Sequence, residues 1–215
     1  MIDPSIHLTP SDLFKPRLAK IPTKNAVYWQ SPLEVNNHQP ALAVFVTQKA
    51  YVRFCAHAGS DLDNEVGGWL IGRWRADRTT GKQFIVVEAI LPAKFTRKGS
   101  AFLTFTQDTQ VALYTEMETR YPKKDLVGWY HTHPRMGIFL SEYDLWLHQN
   151  FFPKSYQVAL VIEPHSTIGG FFIRDWENQL DDRQYYGFYE IQNRKLGSVV
   201  HWCNLSTDKK QNSGE

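Results

Sequence analysis

Residues 128 to 144 read GWYHTHPRMGIFLSEYD, and four of them could act together chemically. His131 and His133 stand one residue apart, Ser141 follows after a gap of seven, and Asp144 lies three further on. Histidines at i and i+2 of a strand project from one face, about 7 Å apart along the backbone, so two imidazoles can meet at one point. Thr132 then faces away. Neutral imidazole is a good zinc ligand, and a carboxylate commonly joins it where a catalytic zinc keeps one position for water. Asp144 has the chemistry for that place. If Ser141 caps a helix, Asp144 lies in its first turn, and seven loop residues can bring that turn back over the strand end. A plainer reading covers two of the four: Ser-x-x-Asp before an apolar stretch resembles a capping box, which satisfies orphan backbone donors and does nothing else. It leaves the histidines unexplained, because buried imidazoles need partners or a metal. The two readings are compatible, and sequence alone leaves both open.

These groups need a scaffold, and the hydrophobic pattern supplies one. DLVGWYH reads as a strand leading into the two histidines, and a helix starts at Ser141. Upstream, ALAVFVT from Ala41 reads as a buried strand and QKAYVRFCAHAG as a helix ending near Gly59. VGGWLIGRW (66–74) and KQFIVVEAIL (82–91) suit an antiparallel pair joined through RADRTTG. AFLTF (101–105) reads as a short strand after a polar insertion whose Lys94, Arg97 and Lys98 are expected in solvent. QDTQVALYTEMETRYP is a helix closed by Pro122, and YQVALVIEP and IGGFFIRDW add two strands. His148 is expected on a helix surface and Cys55 in core packing. The expected class is α/β, a mixed sheet covered by helices, spanning residues 41–192. Residues 1–40, rich in Pro, Asn, Lys and Gln without sustained period, form an N-terminal extension, and 193–215 a C-terminal one whose polar end frays.

Composition narrows the classes. Hydrophobic residues are 42% and charged residues 21% of 215, enough apolar material for a core. The formal net charge is +2 with no dense basic run, which points away from nucleic acid and from membrane surfaces as partners. No basic and apolar leader opens the chain and no run of about 18 apolar residues occurs, so a cytoplasmic location is expected. The two cysteines, Cys55 and Cys203, form no metal-binding spacing.

His-Thr-His-x7-Ser-x-x-Asp resembles the signature of the JAMM (MPN+) metalloprotease family, which also uses a distant glutamate ahead of a Gly-containing apolar strand; Glu65 in NEVGGWLIG stands there. The resemblance covers roughly residues 41–176. It implies a three-layer JAMM/MPN fold similar to cytidine deaminases, one Zn2+ per chain on His131, His133 and Asp144, Glu65 as general base, and Ser141 as a donor to the oxyanion. The implied reaction is hydrolysis of the amide after the C-terminal glycine of a ubiquitin-like protein, in maturation or deconjugation. The implied partners are that protein, its conjugates and E1-like and E2-like enzymes. The short span between Asp144 and YQVALVIEP leaves little room for the insertion of linkage-selective members, so the chain looks more like prokaryotic stand-alone relatives, including those of antiphage conjugation systems. AFLTF is the expected edge for an extended substrate tail. Two rivals remain: a hydrolase of a small amide or amino-acid adduct, and a noncatalytic scaffold, whose members usually lack the metal residues.

Overall fold

The computed structural model describes residues 15–34, 40–93, 107–193 and 195–207. The expected strand at 101–105 and the cations Lys94, Arg97 and Lys98 lie outside the described residues. Among the described residues nine strands form one mixed sheet: β1 (Arg17–Ala19), β2 (Ala26–Trp29), β3 (Ala43–Thr47), β4 (Gly67–Asp77), β5 (Gln83–Pro92), β6 (Asp125–Thr132), β7 (Val158–Glu163), β8 (Ile168–Phe172) and β9 (Phe188–Ile191). Their order is β2-β9-β3-β5-β4-β6-β7-β8. β1 pairs in parallel with Arg75–Asp77 of β4, beyond the stretch that pairs with β6. The sheet curls: a bridge between Phe171 of β8 and Tyr186 links it to the chain entering β9.

Among the described residues three α-helices cover it: α1 (Gln48–Ala58), α2 (Gln107–Arg120) and α3 (Glu142–Phe151). Residue alternation sends each strand's side chains to two cores. Val44, Val46, Leu70, Ile85, Tyr130 and Leu160 pack with Tyr51 and Phe54 of α1. Trp69, Ile71, Trp129 and Val161 face Leu113 of α2 and Leu147 of α3 on the other side. This layering agrees with the expected α/β class.

A bulge sets which side the site faces. In the β4–β6 ladder Leu70 pairs with Gly128 and Ile71 with Leu126, so Val127 is an extra residue. One inserted residue flips the alternation beyond it. Val127 and Tyr130 therefore both belong to the α1 core, and Trp129 with His131 turn toward α3. Gly128 permits this: its φ is 156°, and a Cβ there would lie 2.1 Å from the Val158 carbonyl oxygen.

Both extensions contribute to the domain. β2 pairs antiparallel with β9, while Ala19, Ile21 and Ala26 pack on Ala43, Phe45 and Phe84. Trp202 and Leu205 insert into the α1 core. Pattern reading passed over β1, β2 and β9 because three- or four-residue strands carry no period of their own.

Candidate active site

Strand, loop and helix meet at the C-terminal end of β6. His131 lies inside the strand and His133 just past it, where its N–H donates to the Ile162 carbonyl at 2.9 Å. Thr132, between them, faces the other way and exchanges two bonds with Val66: its N–H donates to the Val66 carbonyl (2.9 Å) and its hydroxyl oxygen accepts the Val66 N–H (2.9 Å). The middle residue of His-Thr-His thus fixes the chain beside Glu65. The following loop turns back through positive φ at Arg135 (62°) and Gly137 (82°). Buried Glu163 anchors it by accepting the Arg135 N–H at 3.1 Å.

The loop ends in a helix cap that is also part of the site. Ser141 is the N-cap of α3, and its hydroxyl accepts the Asp144 N–H at 3.2 Å. The Asp144 carboxylate returns the bond, with Oδ2 accepting the Ser141 N–H at 2.8 Å and the Ser141 hydroxyl at 2.6 Å. His131 Nε2 and His133 Nε2 are 2.8 Å apart, 3.4 Å from Asp144 Oδ1 and 3.6 Å from Asp144 Oδ2 respectively. One capping box therefore holds a carboxylate against two imidazoles.

The set fits a metal ion by an observation internal to it. Three side chains at 0%, 3% and 6% exposure offer donor atoms within 4.8 Å of one another, the one such His/Asp cluster among the described residues. Both Nδ1 atoms are buried without a hydrogen-bond partner among the described residues, while both Nε2 atoms face each other and an anion. At most one proton can lie between two Nε2 atoms; a cation would satisfy both lone pairs and the carboxylate at once. The rings are also held. Trp129 stacks on His131 at 4.5 Å and 7°, and Phe139 leans on His133 at 4.6 Å.

Charge and burial set the proton affinities. Burial pushes the Glu65 carboxyl up to about 7; His133 opposes the rise and Asp144 adds to it. Burial also pushes Asp144 up, but the imidazoles and the Ser141 hydroxyl outweigh it and hold the carboxyl well below the usual range. His133 is lowered, chiefly by burial, which favours the neutral form that metal ligation requires. Without metal, the site pairs an aspartate held ionised by its neighbours with a glutamate whose carboxyl burial raises.

His148 corrects an expectation. It is fully buried rather than on a helix surface, and its Nδ1 accepts the Trp129 indole N–H at 3.0 Å. Burial, then the Arg174 charge, lowers its pKa to about 3. Its position four residues after Asp144 placed it on the same helix face; a buried Trp129 opposite needs an acceptor there. Thr132, Trp129 and Glu163 were not singled out by sequence, since each acts through a contact distant along the chain.

A curled mixed sheet, layered between α1 and the α2–α3 pair, with two histidines and an aspartate gathered at the end of a central strand, has the architecture of a JAMM/MPN domain. The chain matches the family described as JAB1/Mov34/MPN/PAD-1 ubiquitin protease over residues 39–153, more than half its length, and belongs to that family. It is 28% identical over 186 residues to COP9 signalosome complex subunit 5 of Candida glabrata, covering 80% of this chain and 36% of that protein. It is 25% identical over 133 residues to ubiquitin carboxyl-terminal hydrolase RPN11 of Saccharomyces cerevisiae, covering 61% and 42%. The chain thus spans less than half the length of either relative. The solution structure of protein DSY2949 from Desulfitobacterium hafniense shares the fold, with a TM-score of 0.50 and 22% identity over 74% of this chain and 98% of that one.

Proposed function

We propose that this chain is a zinc-dependent isopeptidase that hydrolyses the amide bond after the C-terminal glycine of a ubiquitin-like protein. The observation that carries the reading is the convergence of His131, His133 and Asp144 donor atoms, within 4.8 Å, in a buried site beside Glu65. A relative bearing the name ubiquitin carboxyl-terminal hydrolase supports the substrate class. Its partners on this reading are the ubiquitin-like protein, its conjugates and the E1-like and E2-like enzymes that make them.

His131, His133 and Asp144 would hold the ion. Zinc bound there supplies Lewis acidity, polarising a carbonyl and lowering the pKa of water to about 7. Glu65, beside the cluster, takes a proton from the attacking water and later gives one to the departing amine. The Ser141 hydroxyl, bonded to Asp144 at rest, turns about a single bond to donate to the oxygen on which negative charge develops. Ionised Asp144 keeps both imidazoles oriented without exchanging a proton in this pH range. The balance is one amide and one water in, one carboxylate and one amine out.

The test is incubation of the purified chain with ubiquitin-like fusions, with and without chelator, followed by mass measurement of products. Cleavage after the terminal glycine, abolished by chelator and by Glu65→Gln while zinc stays bound, is the expected result. Hydrolysis of a small amide or amino-acid adduct with every protein fusion left intact would replace this reading. Protein that takes up no metal but binds partners tightly would make it a scaffold.

A further inference from the structure

A general base must be held close to its working position, since a misplacement of about 1 Å can cost about a hundredfold in rate. The segment that carries Glu65 does not supply that hold by packing. Residues 59–66, between α1 and β4, include no buried residue, so no side chain of theirs is locked in a core. Asp61 accepts the Asp63 N–H at 3.1 Å and the Asn64 N–H at 3.0 Å, but these two bonds shape the stretch without attaching it to the sheet. Its attachment comes from other elements. Thr132 holds Val66, one residue after Glu65. Three residues before Glu65, the Leu62 carbonyl accepts the His165 Nε2–H at 2.8 Å. A carbonyl can only accept, so this bond places a proton on Nε2. The ion pair of Arg135 with Asp63, at 3.4 Å and open to solvent on both sides, adds little.

His165 is presented to Leu62 by Glu163. The turn between β7 and β8, residues 164–167, folds around the buried Glu163 carboxylate: Oε1 accepts the His165 N–H at 2.9 Å and Oε2 the Ser166 N–H at 2.8 Å. Oε1 also accepts the Arg135 N–H, so one carboxylate ties the loop leaving His133 to the turn that carries His165. The preceding residue, Ile162, accepts the His133 N–H, which seats this brace on the strand beside the ligands. We propose that Glu163 and His165 are positioning residues for Glu65: the buried carboxylate folds the turn, and the imidazole it presents pins the segment that carries the general base. The inference rests on the role given to Glu65 above.

Amide hydrogen exchange of the full chain tests the brace without any substrate. In His165→Ala, an exposed position, residues 62–66 should exchange at least about fivefold faster, with zinc and without it, while β6 and β7 stay protected. His165→Gln, whose side-chain amide can donate to the same carbonyl, should restore protection. On a fusion that the chain cleaves, His165→Ala should lower kcat about tenfold with KM and zinc content unchanged, and His165→Gln should recover most of the loss. Glu163→Gln, which sets an amide NH2 among N–H donors, should lower kcat further; if it does not fold, His165→Ala still decides. Unchanged exchange in His165→Ala overturns the proposal whatever the activity. Faster exchange with full kcat, or a fall in kcat that comes with loss of zinc, also overturns it, because the effect then does not pass through Glu65. A wild-type chain that cleaves no fusion removes the isopeptidase reading instead, and the exchange result alone then decides the brace.

Discussion

Two buried carboxylates do opposite things in this molecule. Glu190 in β9 is wholly buried and saturated with donors: the Trp29 indole N–H at 3.2 Å, Gln48 Nε2 at 2.8 Å, the Ser198 hydroxyl at 2.6 Å, the Val199 N–H at 2.9 Å and Gln192 Nε2 at 3.2 Å. Those donors come from the N-terminal extension, α1, and the C-terminal segment, so one side chain fastens three parts of the chain to the sheet edge. Asp144, at 6% exposure, also accepts local donors but turns its remaining capacity toward two imidazole nitrogens, with orphaned Nδ1 atoms behind them. Burial is nearly equal; satisfaction is not. A buried carboxylate surrounded by N–H and O–H donors holds a fold together, and one set against two facing imidazole nitrogens that cannot both carry a proton between them offers a place for a cation.

The contrast is testable by removing each group. Asp144→Ala should leave a folded protein that no longer retains zinc and whose cleavage falls at least about a thousandfold, read by metal analysis and product mass. If that variant keeps its metal, the contrast fails. Glu190→Ala should do the reverse, lowering stability by about 3 to 5 kcal/mol as several buried donors lose their acceptor, with zinc binding retained in the fraction that stays folded; denaturant unfolding measures it.

Ser141→Ala sits on both sides of the comparison, because the hydroxyl caps α3 and, on the proposed reading, donates to the developing oxyanion. It should cost about 1 kcal/mol in stability through the cap and about a hundredfold in kcat through the lost oxyanion donor. Loss of stability with full kcat would confine Ser141 to capping.

The smallest effect expected is one of pH. Burial raises Glu65 in the fold to about 7 against 4.5 when exposed, so ionisation opposes folding of the metal-free protein. Its contribution is fully present below about pH 4.5 and is lost as pH rises through 7. Glu65→Gln should flatten that decline in thermal unfolding of metal-free protein between pH 5 and 8. An unchanged slope would mean the carboxyl is not held in a dry site.

Sequence made part of this legible because the determinants are local. Histidines two apart on a strand share a face, and Ser-x-x-Asp can cap the helix it opens, so the grouping of two imidazoles with a carboxylate was legible from spacing. The same holds for β3 to β8 and the three helices, whose apolar periods are long enough to read. Glu65 was found only through the resemblance, because a glutamate before a strand has no distinguishing period; its proximity to the site depends on Thr132 binding Val66 across the sheet.

Local pattern could not carry the remainder. β1, β2 and β9 are strands because neighbours supply their hydrogen bonds, and Trp202 is core because the curled sheet brings the C-terminal segment back over α1. His148 is buried because the bulge before Gly128 turns Trp129 toward it. Spacing along the chain determined which groups form the His/His/Asp cluster and how they face one another; only the folded sheet decided what surrounds them, since burial is a sum over segments that are remote in sequence and adjacent in space.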